Sequence, residues 1–408
     1  MADQRLAVVG IGGTAYGNPE GYPVTSLHVE AAKQAMDDAG LSKRDIDGLI
    51  VCDHSPDVKT AYRTAEHMGM ATWPKQFLTA VTNGGVAAAM ANDLAAHALR
   101  SGEATNVLIV GGGSGRTRRQ AQAALAPTTP AQSYTERVAG RGQETMSLEF
   151  DVPYGPFGVI SFYALAAQRH MYEYGTTSEQ MAAVSVACRK HAYMNPRAMK
   201  REPITIDDVI NSPYICEPFH LLDCCLPAGG SDAYIVTTED RARDLRHPPI
   251  WMDGIGHAHS AYHTGLLCTR SDYGFDMIRQ VGKVAGERAF AEAGIEPKDI
   301  DLVELYDSFT MTVLMQLEDF GFAPKGDGGP FAEGGRLELG GELPLNTNGG
   351  MLSMGQSGVG STVMFMNEAV AQLRGDCGEL QVPDAKHALV GSVSGTMSNY
   401  GATIFTAD

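Results

Sequence analysis

The sequence predicts an α/β fold made of two related halves, and three observations carry that prediction. First, the segment Ala39-Gly40-Leu41-Ser42-Lys43-Arg44-Asp45-Ile46-Asp47 recurs 254 residues downstream (293 against 39) as Ala293-Gly294-Ile295-Glu296-Pro297-Lys298-Asp299-Ile300-Asp301. Second, each copy follows a run of helical apolar periodicity, 29–39 and 284–293, and leads into an apolar strand, Gly48-Leu49-Ile50-Val51 and Leu302-Val303-Glu304-Leu305. Third, a helix–strand pair recurs further along in the same order: 86–100 before Val107-Leu108-Ile109-Val110, and 362–374 before Ala388-Leu389-Val390-Gly391. Recurrence of two independent segments in one order implies duplicated α/β halves with parallel-biased sheets.

Each element has a local cause. Gly40, Gly102, Gly294 and Gly375 follow the four helical runs and supply the positive-φ stop that a helix C-terminus favours. The first half is expected over residues 1–250 and the second over 251–408. Longer helical patterns at 161–174 and 177–194, with proline-rich punctuation, mark an insertion at about 114–220. Residues 324–350 are glycine-rich and read as a structureless loop over the active site.

Of the 408 residues, 44% are hydrophobic and only 19% charged, with 47 glycines, which suits a compact enzyme with tight turns and excludes a disordered scaffold. A formal charge of −17 disfavours nucleic acid or an anionic membrane as a general partner. Arg116, Arg118 and Arg119 are a candidate local patch for a CoA phosphate or a solvated loop. No apolar run reaches the ~20 residues that span a bilayer. The first residues lack the three-part pattern of a signal peptide. Seven scattered cysteines, without a CxxC pair, fit a reducing compartment and exclude a zinc ribbon within the chain. A cytoplasmic location is expected.

The duplicated halves, with a glycine loop before each long helix, resemble the thiolase superfamily over essentially the whole chain. The residues that carry the resemblance are Asp45-Ile46-Asp47-Gly48-Leu49, Tyr154-Gly155, Leu222-Asp223-Cys224, Ser231-Asp232-Ala233, Glu304-Leu305-Tyr306-Asp307-Ser308-Phe309, Asn346-Thr347-Asn348-Gly349-Gly350 and Gln372-Leu373-Arg374-Gly375. The last is similar to the sterol-carrier branch. The resemblance implies a five-layer αβαβα fold from two βαβαβαββ halves, and a homodimer.

The departures are informative. The thiolase nucleophile, a cysteine at a helix N-terminus, falls on Gly85 of Thr82-Asn83-Gly84-Gly85. The histidine loop matches Met354-Gly355-Gln356-Ser357-Gly358, so Gln356 stands at the base. The second cysteine maps to Ser394-Gly395-Thr396-Met397-Ser398-Asn399-Tyr400, which has no thiol. Thiolysis by the usual route is excluded.

Thiolase-like lipid-transfer proteins that lack the cysteine resemble this chain. Those characterised are aldolases that cleave a bulky β-hydroxyacyl-CoA, as in steroid side-chain removal, with a small OB-fold, zinc-ribbon partner. In that subgroup a tyrosine often stands where this chain has Gln356. The resemblance therefore implies a retro-aldolase with an acyl-CoA substrate, no separate cofactor and no metal. Such a reaction needs a base at the β-hydroxyl and donors at the thioester oxygen, but no acyl carrier.

Tyr306 is the proposed proton-transfer residue and Asp307 its orienter, with Gln356 and Tyr400 as further polar contacts. Asn83, Gly84, Gly85, Gly355 and Gly395 are expected to line the substrate. Gly85 is expected to open room for an oxyanion beside the backbone N–H groups of the helix that follows. Alternative roles for the Tyr306-Asp307 pair are ring packing and a helix cap. A cysteine-independent acyltransferase and a non-catalytic acyl-CoA or lipid-binding scaffold are the rival functions. His257, His259 and His263 are a weak metal candidate against a polar loop, Cys224-Cys225 read as buried inert thiols, and His220 has no assigned role.

Overall fold

The structure, a computed structural model, describes residues 4–17, 23–53, 59–70, 77–113, 158–260 and 276–408. Its elements follow the duplicated pattern. In the first half, β1 (Leu6–Gly13) leads to helix α1 (Val24–Ala39), which Gly40 ends at φ +71°. There follow β2 (Gly48–Cys52), α2 (Lys59–His67), β3 (Phe77–Val81), the alanine-rich α3 (Ala87–Ser101) and β4 (Asn106–Gly113).

The inserted helices are α4 (Gly158–Tyr174) and α5 (Ser178–Met194). Thr177 caps α5 by accepting the Gln180 N–H, an interaction worth ~1 kcal/mol. A small hairpin of β5 (Tyr214–Cys216) and β6 (Phe219–His220) precedes β7 (Gly230–Thr238). The second half runs β8 (Ile250–His259), α6 (Gly282–Ala293), β9 (Leu302–Leu305), α7 (Thr310–Asp319), α8 (Thr362–Arg374), β10 (His387–Ser394) and β11 (Asn399–Thr406). Gly294 ends α6 at φ +70°, matching Gly40.

The main sheet has nine strands in the order β3-β2-β4-β7-β1-β8-β11-β10-β9. The two halves meet where β1 pairs with β8, at Ala7 opposite Trp251 and Val8 opposite Ile250. The expected parallel bias is corrected. Only β2–β3, β2–β4 and β9–β10 are parallel, and the other five neighbouring pairs are antiparallel. Helical crossovers force the parallel pairs, and these are what the sequence pattern displays. The short connection from Ser394 to Asn399 can only return β11 antiparallel to β10.

Layering follows from which faces are apolar. Helix α1 covers one face of the first-half sheet, against Ala7, Val9, Leu49 and Val51. Helices α3 and α8 touch strands of both halves and form the middle layer, while α6 covers β8 and β11 on the far side. The alanines of α3 have a packing reason. Ala89 lies so close to β11 that a Cβ on Gly401 would stand 2.3 Å from its Cβ.

The segment expected to be a structureless glycine loop is partly helical. Gly328–Ala332 and Glu333–Gly335 form short turns, and Leu339 donates its N–H to His191 Nε2 of α5 at 2.9 Å. Its glycines serve close packing there: a Cβ on Gly329 would meet the Gln180 carbonyl oxygen at 2.4 Å. Among the described residues no helix is long and apolar enough to cross a membrane.

Candidate active site

Strand β9 is buried along its length, and its ladder runs on through Tyr306, whose N–H donates to Gly391 O at 3.1 Å. The Tyr306 carbonyl accepts from Thr312 Oγ1 at 2.9 Å and from Gln316 Nε2 at 2.8 Å. Three backbone-directed bonds thus fix where the phenol leaves the chain. The ring is buried, and Gln356 Nε2 donates to Tyr306 Oη at 3.2 Å. Gln356 is held by its own backbone. Its N–H donates to Leu226 O at 2.7 Å, and its carbonyl accepts from Ala228 N at 2.9 Å. Tyr306 and Gln356, 50 positions apart in the chain, are therefore brought together.

The turn from Asn83 to Val86 approaches from the other half. Gly84 takes φ +53°, a left-handed value natural to glycine, and packs beneath Ser394. Ser394 Oγ contacts Asn83 Oδ1 at 3.4 Å, and Asn83 Nδ2 donates to Met90 Sδ at 3.2 Å. Gly85 carries the decisive geometry. A Cβ built on it would lie 2.2 Å from Tyr306 Cε2 and 2.4 Å from Val393 O. The Tyr306 ring fills the space a side chain at position 85 would take.

This corrects the expectation of open room for an oxyanion beside Gly85. The nearby N–H groups are also spent within the turn: Val86 N donates to Asn83 O at 3.2 Å and Ala87 N to Gly84 O at 3.3 Å.

Asp307 has a different place from the one expected. Its carboxylate is fully buried and accepts the N–H of Met351 at 2.8 Å and of Leu352 at 3.2 Å, so it ties loop 350–354 to the end of β9. It does not cap α7, which begins three residues later, but holds the first N–H groups of the helical turn Gly350–Met354. Burial, opposed by those N–H groups, pushes its carboxyl up to about 6. Tyr400 is turned away from Tyr306. It is fully buried, lies edge-on to Phe320 with ring centroids 6.2 Å apart, and its hydroxyl faces Asp319 with Tyr163 nearby.

Gly355, at φ +133°, packs against Ala228 and Tyr16 in the strand-like run leading to Gln356. Gly395, at φ +58°, forms the turn between β10 and β11, where its carbonyl accepts the Ser398 hydroxyl at 2.6 Å. Cys224 and Cys225 are half-buried rather than buried, and Cys225 donates its N–H to Ser308 O at 2.9 Å. Burial still pushes the Cys224 thiol up to about 12, so it stays protonated at neutral pH. His220 Nδ1 contacts Asp223 Oδ2 at 3.1 Å, and Asp223 in turn accepts from Thr310 Oγ1 at 2.9 Å, a buried brace at the start of α7. His257 and His259 lie on β8, with ring centroids 6.1 Å apart. His263, Tyr154-Gly155 and the arginines at 116, 118 and 119 lie outside the described residues.

Sequence reasoning missed Tyr163. It comes from α4, is buried, and meets the Phe309 ring at a 42° tilt with centroids 4.9 Å apart, next to the Tyr306-Asp307-Ser308 run. Nothing in its local sequence marks it, since only the packing of the inserted helix delivers it to the site.

Comparison with known proteins agrees with this architecture. The Thiolase C-terminal domain-like family matches residues 269–407. A steroid side-chain-cleaving aldolase of Thermomonospora curvata is 34% identical over 91% of this chain and 92% of its own. This chain belongs to the thiolase superfamily. A 17-hydroxy-3-oxo-4-pregnene-20-carboxyl-CoA lyase of Mycobacterium tuberculosis is 35% identical to it over 97% of this chain and 98% of that one. The solved Ltp2-ChsH2(DUF35) aldolase superposes with a TM-score of 0.82 at 32% identity, covering 99% of this chain and 98% of the other. Within the superfamily this member stands among aldolase and lyase relatives, and it has glycine and a tyrosine ring where a thiolase has its nucleophile.

Proposed function

We propose that this protein is a carbon–carbon lyase that cleaves a bulky, steroid-like β-hydroxyacyl-CoA by a retro-aldol reaction. The observation that carries this reading is the Tyr306 phenol, buried, hydrogen-bonded by Gln356, and standing in the volume of the missing cysteine. A retro-aldol step removes the β-hydroxyl proton, breaks the Cα–Cβ bond to release a ketone or aldehyde, and leaves an enolate that takes a proton at Cα. No acyl-enzyme forms. Gln356 cannot act as a base, but its N–H donation stabilises an ionised Tyr306, which then carries the β-hydroxyl proton to Cα. Asp307 contributes by fixing the loop that presents Gln356.

The names of the aldolase and lyase relatives support a steroid-type acyl group, and the Ltp2-ChsH2(DUF35) assembly supports a small OB-fold, zinc-ribbon partner. A cytoplasmic homodimer that needs no cofactor beyond the CoA of its substrate completes the proposal.

The test is Tyr306→Phe, followed by ketone release from a tertiary β-hydroxyacyl-CoA. The variant keeps the ring that fills the space at Gly85, so stability should change by no more than the ~1 kcal/mol of one hydrogen bond. Turnover should fall about 10²-fold or more, in kcat rather than in substrate binding. Near-normal turnover with a lowered melting temperature would make Tyr306 a packing residue and end this assignment.

A further inference from the structure

The N–H groups of Val86 and Ala87 are spent in their own turn beside Gly85, which favours a side-chain donor to the thioester oxygen. Two unused polar groups lie close by. The Tyr163 hydroxyl faces the backbone N–H of Met397 and neighbours Tyr306, Ser308 and Cys225. Ser308 is buried, and its Oγ, which makes no other hydrogen bond among the described residues, faces the Tyr163 hydroxyl. The backbone that delivers the Met397 N–H is strained. Thr396 and Met397 take φ +53° and +65°, left-handed values that side-chain-bearing residues rarely adopt. A phenol oxygen that already accepts an N–H keeps its own proton to donate.

We propose that Tyr163, aimed by the Met397 N–H and backed by the Ser308 hydroxyl, is the donor to the thioester oxygen of the acyl-CoA. This role deepens the retro-aldol reading and rests on it. As the Cα–Cβ bond breaks, its electron pair moves onto the thioester oxygen, where the Tyr163 O–H meets the developing charge. The enolate then collapses as Cα takes up the proton that Tyr306 removed from the β-hydroxyl, so no outside reactant is required. The two phenols divide the work by environment. Burial, and then the field of Tyr306, hold Tyr163 in its neutral, donating form.

The test is Tyr163→Phe in the full-length protein, with Ser308→Ala as the second variant. For Tyr163→Phe, kcat should fall about 10²-fold with KM almost unchanged, as when an oxyanion donor is removed. The pH–rate limb that belongs to Tyr306 should survive in Tyr163→Phe and vanish in Tyr306→Phe, a split that a packing role would not produce. Ser308→Ala, which leaves the phenol in place, should lose about 10-fold.

A second readout needs no turnover. An acyl-CoA without the β-hydroxyl should perturb the near-ultraviolet tyrosine absorbance of the wild type, and that signal should shrink in Tyr163→Phe. If the wild type releases no ketone yet shows this perturbation, the retro-aldol reading falls while Tyr163 remains the thioester donor. Wild-type turnover in both variants, or an undiminished absorbance change in Tyr163→Phe, would overturn the proposal.

Discussion

Position 85 carries no side chain because another residue already fills the space. The Tyr306 ring and the Val393 carbonyl both lie within 2.4 Å of the place a Cβ would occupy. The carbonyl belongs to β10 and cannot swing aside. Gly85→Ala should therefore displace the Tyr306 ring and strain the strand, costing roughly 1–3 kcal/mol as overpacking does. Its turnover should drop at least as far as that of Tyr306→Phe, and its melting temperature should also fall. Melting curves and ketone release measured side by side check this, and a wild-type-like Gly85→Ala would disprove the close packing. Gly85→Cys meets the same wall, so returning the thiol alone does not restore a thiolase.

At the scale of elements, the end of β9 is clasped to the loop that carries Gln356. Asn346 Oδ1 accepts the Leu305 N–H at 2.7 Å, and Arg189 Nε of α5 donates to Ser353 Oγ at 2.8 Å. Beneath the clasp lies an acid pair, Glu304 fully buried and Glu368 half-buried. Thr347 Oγ1 stands 3.0 Å from Glu304 Oε1 and 2.7 Å from Glu368 Oε1, and it also accepts from Gln372 Nε2 at 3.0 Å. One hydroxyl proton cannot serve two carboxylates, so at least one of the acids is protonated.

Burial raises both carboxyls above the usual glutamate range, Glu304 far above it. A carboxyl raised in the folded state holds its proton where the unfolded chain has lost it. Stability is therefore greatest below the ordinary glutamate value and declines as pH climbs through the folded one. Glu368→Gln keeps the accepting oxygen and removes one ionisation. Its stability should fall less steeply between roughly pH 5 and 8, and its melting temperature near pH 8 should equal or exceed that of the wild type. Denaturant melts across that range measure the slope, and a steeper decline in the variant would refute the pairing.

At the scale of the whole molecule, the nine-stranded sheet ends in β3. Among the described residues β3 pairs only with β2, and four of its five residues are half-buried. An apolar edge strand left open invites pairing with a second copy. A symmetric homodimer through this edge is the expected outcome, because one patch then covers itself. Leu78→Lys should shift the protein from dimer to monomer in light scattering at micromolar concentration. A wild-type protein that is already monomeric would remove this expectation. Co-purification from the native source tests the proposed heterologous partner separately.

The sequence by itself determined the duplication, the helix stops at Gly40 and Gly294, and the absence of thiolase chemistry at positions 85, 356 and 394–400. Those features are local: periodicity, a positive-φ glycine and residue type are legible one segment at a time. It also placed Tyr306 at a strand end, where polar groups face a loop. Tertiary structure decided the rest. That Asp307 serves loop 350–354, that Tyr400 packs on Phe320, and that Tyr163 arrives from an inserted helix all depend on contacts between distant segments. The sequence could also show that Gly85 lacks a thiol, but only the approach of the second half shows what fills its place. Side-chain volume is shared between halves more than 200 residues apart, and no local pattern records that sharing.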